Sequence, residues 1–111
     1  MANYLLSERY KDAAAVMAGG ALEQHIKRLA PKHGVPLTSA DKNGLPVPRR
    51  AQTLNDELYK AGAYLVGDQK QVTAWLDLRN DAAHANYGKY TDKQVGLLIA
   101  GIRDFITRVP A

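Results

Sequence analysis

The chain has 111 residues, 46% hydrophobic and 23% charged, with no cysteine. One domain spanning 1–111 fits that length, and disulfides, thiolate chemistry and cysteine-ligated metal sites are excluded. The net charge of +4 lies wholly in residues 1–50, because residues 51–111 hold seven Lys/Arg against seven Asp/Glu.

The start, MANYLLSERY, turns polar after Leu6, too early for a signal peptide, and no later run approaches the ~18 apolar residues of a membrane span. With the absence of cysteine, this predicts a soluble cytoplasmic protein without a membrane partner. From about Leu5 to Ala30 the residues Leu6, Tyr10, Ala13, Ala14, Met17, Ala21, Leu22, Ile26 and Leu29 recur near a 3.6-residue period, which predicts a first helix stopped by Pro31. Gly19 and Gly20 interrupt it at a cost of up to ~1 kcal/mol each, accepted most readily at a helix crossing or a kink.

Residues 31–50, PKHGVPLTSADKNGLPVPRR, contain four of the five prolines and show neither helical nor strand periodicity. They read as a long loop between the first and second helices. Lys27, Arg28, Lys32, Lys42, Arg49 and Arg50 face only Asp41 between positions 24 and 50. Such a basic stretch attracts a polyanion such as RNA, or is simply a solvated loop.

A second helix is expected from Thr53, with Leu54, Leu58, Ala61 and Leu65 on one face and Gly67 at its end. Asp68 then reads as the N-cap of a third helix, paired with Gln71, whose stripe is Val72, Trp75, Leu76, Arg79 and Ala83. After a loop from Ala85 to Tyr90, Thr91 and Gln94 form another capping-box pair. Val95, Leu98, Ile99, Ile102, Phe105, Ile106 and Val109 follow as the strongest apolar stripe in the chain. The fold class is therefore all-α, an antiparallel four-helix bundle with one long loop.

The chemistry concentrates at the end of the third helix, in Arg79-Asn80-Asp81-Ala82-Ala83-His84. Arg79 continues a buried stripe, so its guanidinium needs a carboxylate, a carbonyl or a phosphate. Asn80 and His84 are spaced i, i+4 and can bond to each other, fixing the imidazole. Arg79 and His84 stand about 140 degrees apart around the helix, so they flank one edge. A plainer reading has both cations favouring the negative end of the helix dipole, Arg79 capping carbonyls there. Tyr87 and Tyr90 suit base stacking with Lys89 on a phosphate, or packing over the bundle end. His25 and His33 fit zinc-ligand spacing poorly, and Glu23 and Asp77 have no partner evident in the pattern; no metal or cofactor is implied.

An arginine, a following polar residue and a histidine after four intervening positions, here Arg79, Asn80 and His84, resembles the signature of the HEPN superfamily of small helical bundles. The order of elements from Asp68 to about Arg108 is similar too. More distantly, AAAVMAGGALEQHIKRLA, LNDELYKAGAY and WLDLRNDAAHANYGKYT resemble a group of uncharacterised bacterial proteins with this ending. What the resemblance implies is metal-independent RNA cleavage by a homodimer whose motifs meet at the interface, giving 2′,3′-cyclic phosphate ends. His84 would act as general base on the ribose 2′-hydroxyl or as acid on the leaving 5′-oxygen, Arg79 would hold the scissile phosphate and Asn80 would position the histidine or a phosphate oxygen; Tyr87, Lys89, Tyr90, Arg49 and Arg50 are the candidate RNA contacts. Such domains often serve as toxins or defence components with an antitoxin or fused partner. Others are noncatalytic modules that bind RNA, a nucleotide or a protein partner, and that alternative stays open.

Overall fold

The computed structural model describes residues 11–84 and 90–111. Among them are four helices, α1 (Lys11–Lys32), α2 (Ala51–Lys60), α3 (Val66–Ala83) and α4 (Asp92–Arg108), and two short strands, β1 (Thr38–Ala40) and β2 (Pro46–Pro48). Helix α1 packs against each of the other three, and α2 packs on α3. The buried apolar side chains form one cluster, with Leu22, Ile26, Leu29, Leu54, Leu58, Val95, Leu98 and Phe105 at its centre. No helix among the described residues is long and apolar enough to cross a membrane.

Several boundaries differ from those expected. Pro31 lies inside the last turn of α1 rather than beyond it. The helix ends instead at Gly34, whose φ of 72° lets the Val35 amide reach the Ala30 carbonyl at 2.8 Å and the Gly34 amide reach Pro31. This is a Schellman cap, with Val35 buried as its apolar plug. Helix α2 ends the same way, ten residues long, at Gly62 with φ 82°, where the Ala63 amide bonds to Leu58 and Gly62 to Tyr59. Gly67 therefore does not terminate a helix. It sits in the first turn of α3, which starts at Val66 with Leu65 as an N-cap lacking any side-chain bond. Asp68 is not the cap; its carboxylate receives Arg108 of α4 at 2.9 Å. The Thr91–Gln94 capping box is formed in both directions.

The expected structureless loop holds a β-hairpin. The strands pair antiparallel, Thr38 with Pro48, Ser39 with Val47 and Ala40 with Pro46. Asp41 Oδ1 accepts the amides of Asn43 and Leu45 at 2.8 and 2.9 Å, and Gly44 has φ 78°. The prolines that argued against a strand are accommodated by register. Ladder bonds fall at the pairs 41/45 and 37/49 and, by alternation, at 39/47, so Pro46 and Pro48 occupy positions that owe the ladder no N–H.

Of the two adjacent glycines, only Gly19 is a crossing point. A Cβ there would collide with Cβ and Cγ of Arg79, whereas one at Gly20 would meet nothing. A second close approach joins α3 to α4, where Trp75 lies against Gly101.

Candidate functional site

Helix α3 brings the motif to the surface at its C-terminal end, beside α1 and the start of α2. A cleft of about 320 Å³ opens there, lined by Glu23, Arg50, Ala51, Gln52, Leu76, Arg79, Asn80 and His84. Arg79, Asn80 and His84 thus share one cavity, joined by Arg50 from the basic stretch. The β-hairpin positions Arg50: the Arg49 amide closes the ladder on Leu37 at 2.9 Å, and Arg50 follows at once as the N-cap of α2.

The Arg79 stem runs over Gly19, and its guanidinium reaches Glu23 on α1, with an N–O distance of 3.6 Å. That contact is long for a charge-assisted hydrogen bond. Arg79 Nε is buried and makes no hydrogen bond among the described residues. The arginine therefore does not cap its own helix. It spans the α1–α3 crossing and retains donor capacity. Glu23, which the pattern left without a partner, faces two cations, Arg79 through Oε2 and Lys27 through Oε1 at 3.4 Å.

His84 is the C-cap of α3. Its backbone amide and its ring Nδ1 both bond to the Asn80 carbonyl, at 3.0 and 2.7 Å. A carbonyl only accepts, so Nδ1 carries hydrogen and Nε2 is the nitrogen that exchanges a proton. The i, i+4 link between Asn80 and His84 thus exists, but through the main chain instead of the Asn80 amide expected from the sequence.

The opposite wall is the first turn of α2. The first hydrogen bond into this helix is Leu54 N–H to the Arg50 carbonyl, so the amides of Ala51, Gln52 and Thr53 precede the ladder and add partial positive charge beside Arg50 and Arg79. Gln52 donates to Asp77 at 2.9 Å, which occupies its amide and gives Asp77 the partner its pattern lacked.

The remaining predicted residues divide. Arg49 is half-buried and does not line the cleft. Tyr90 is 3% exposed, with the Lys11 ammonium 4.9 Å from its ring centroid and bonded to its carbonyl. A ring so enclosed belongs to the core and offers no face for a base. Tyr87 and Lys89 lie outside the described residues. His25 is buried and donates through Nε2 to the Val109 carbonyl at 2.6 Å, and among the described residues no three acidic or histidine side chains gather as a metal-ligand set.

The sequence reading missed two buried polar groups as well as Glu23. Asn55 on α2 is fully buried, donating to the Gln69 carbonyl and Thr73 Oγ1 and accepting from the Tyr64 hydroxyl at 2.6 Å. Burial first, and then the negative charges of Asp56 and Asp68, push the Tyr64 hydroxyl well above the ordinary tyrosine range. This network clamps α2 to α3 and so holds the two walls of the cleft together. Its one sequence signal is that Asn55 stands three residues before Leu58 on the apolar face. Comparison of the chain with protein-family models, curated proteins and solved structures finds no match.

Proposed function

We propose that the cleft is the reaction centre of a HEPN-type, metal-independent endoribonuclease, with the four helices arranged as an antiparallel bundle. The convergence of Arg50, Arg79 and His84 on one cavity carries this reading. Cleavage of RNA at its own 2′-hydroxyl needs a group that exchanges protons near neutral pH and cations that stabilise charge building on the phosphate. Histidine is the residue type with the first property, and His84 lines the cleft; Arg79 and Arg50, on the same wall, have the second. The products are a 2′,3′-cyclic phosphate and a 5′-hydroxyl. A homodimer would set two such clefts side by side, and a toxin or defence role with a cognate partner protein is part of the same proposal.

Purified protein incubated with RNA in EDTA is expected to cut it. Arg79→Ala and His84→Ala should each lower the rate at least ~100-fold without loss of helical signal, the scale of a lost acid–base or charge-stabilising group. Intact RNA with wild-type protein, or normal cutting by either variant, sinks the assignment. The Arg79–Glu23 ion pair favours the second reading, a noncatalytic module that binds RNA, a nucleotide or a protein partner, because it gives the arginine a structural role. Binding without cleavage is the outcome that reading expects.

A further inference from the structure

Transesterification of RNA requires two proton transfers, one from the attacking 2′-hydroxyl and one to the departing 5′-oxygen, on opposite sides of the phosphorus. A single imidazole cannot serve both ends at once. Of the described side chains lining one protomer's cleft, arginine holds its protons, asparagine and glutamine do not titrate, and alanine and leucine have nothing to exchange. That leaves Glu23 and His84.

Resting on the ribonuclease reading, we propose that Glu23 is the second catalytic residue, the general base for the 2′-hydroxyl, and that one protomer therefore holds a complete acid–base pair with Arg79 between its members. The Glu23 carboxylate takes the 2′-hydroxyl proton as the 2′-oxygen bonds to phosphorus. The bond from phosphorus to the 5′-oxygen breaks, and the His84 imidazolium donates its Nε2 proton to that leaving oxygen. Glu23 ends protonated and His84 neutral, and exchange with water restores both.

Two cations flank the Glu23 carboxylate without closing it off. Lys27 on its own helix faces one oxygen, and Arg79 from α3 faces the other at 3.6 Å, so neither contact is a short hydrogen bond that would use up the carboxylate. Among the described residues, Arg50, preceding α2, and His84, closing α3, are the other charged or titratable groups on the cavity wall. A phosphate arriving at Arg79 replaces Glu23 as its counter-ion and frees the carboxylate oxygen nearest the reacting group. Glu23 is 26% exposed, so water and a ribose can both reach it.

The test compares full-length wild type with Glu23→Gln, Glu23→Asp and His84→Ala, using an RNA oligonucleotide for rates and its 2′-deoxy analogue, which cannot react, for binding. Glu23→Gln is expected to lower kcat about 100-fold or more, the size of a lost general base. It should also bind the deoxy analogue no more weakly, and be partly rescued by Glu23→Asp. Mixing Glu23→Gln with His84→Ala protein should restore nothing. If wild type cuts and Glu23→Gln cuts as fast or faster, Glu23 is only a counter-ion and this proposal falls while the ribonuclease reading stands. Activity regained in the mixture would place the two groups on different protomers and overturn the single-protomer pair. An inert wild type removes the ribonuclease reading itself, and this inference with it.

Discussion

Two hydrogen bonds from His84 converge on one backbone oxygen, that of Asn80, so the tautomer of the histidine is set by main-chain geometry. Asn80→Ala should keep Nδ1 protonated, as read from the imidazole ¹⁵N shifts, and should cost less cleavage than His84→Ala; a switch to the other tautomer would show that the amide matters after all. Asn55 presents the opposite case, because it bonds across from α2 to α3 through its side chain. Asn55→Ala removes three side-chain hydrogen bonds and leaves the Tyr64 hydroxyl only its 3.3 Å bond to the main-chain carbonyl of residue 55, a loss of about 2–4 kcal/mol in chemical denaturation. The Tyr64 hydroxyl stays protonated in the folded protein at pH values where an unfolded tyrosine ionises, near 10. Its contribution is therefore complete below that pH and lost as the pH climbs above it, and the fall of stability with rising pH should be shallower in Tyr64→Phe. The position of Arg79 on an apolar stripe demanded a partner, which made the site legible in the sequence. The identity of that partner was not, because Glu23 lies 56 residues away on a helix whose approach depends on Gly19.

Between elements, the two adjacent glycines of α1 make a matched experiment. Gly19→Ala forces a methyl group into the Arg79 stem and should destabilise by about 1–3 kcal/mol through overpacking. Gly20→Ala enters open space and should stabilise by about 0.5–1 kcal/mol through helix propensity. Equal shifts in urea midpoint would contradict this account of the crossing. Helix periodicity located the four helices of the described residues and the buried ridge of α4, because a stripe of apolar residues is a local property. It misplaced the ends of α1 and α2 because their terminators, Gly34 and Gly62, act through left-handed backbone that no periodicity records. The hairpin escaped notice for a related reason. Its exposed strands bury nothing, so the alternation that marks a strand had no cause to appear, and Asp41-Lys42-Asn43-Gly44 was its one local signal.

Across the whole molecule, the excess positive charge of residues 1–50 is divided by the fold rather than spread as a single face. Lys27 is held by Glu23, and Lys32 bonds to the Pro110 carbonyl at 3.0 Å, while Arg50 faces the cleft. If RNA occupies that cleft, affinity should fall steeply with salt, and Arg50→Ala should make the dependence shallower by roughly one counterion, a slope change of about 0.7–0.9. An unchanged slope would remove Arg50 from the contact. The charge asymmetry was plain in the sequence. The separation of Arg49 from Arg50 was not, since it depends on where the hairpin ends and α2 begins.

The central position of α1 also has a consequence for the order in which the protein assembles. The clamp between α2 and α3 joins residues 9 to 18 apart in sequence, whereas α1 meets the chain's end through His25 and Val109, 84 residues apart. Closing the longer loops costs more entropy before any contact repays it. Substitutions at Asn55 should then slow folding, while those at Gly19 should chiefly speed unfolding. On that order the wall bearing Arg50, Arg79 and His84 takes shape first, and the carboxylate of Glu23 is the last piece to reach the cleft.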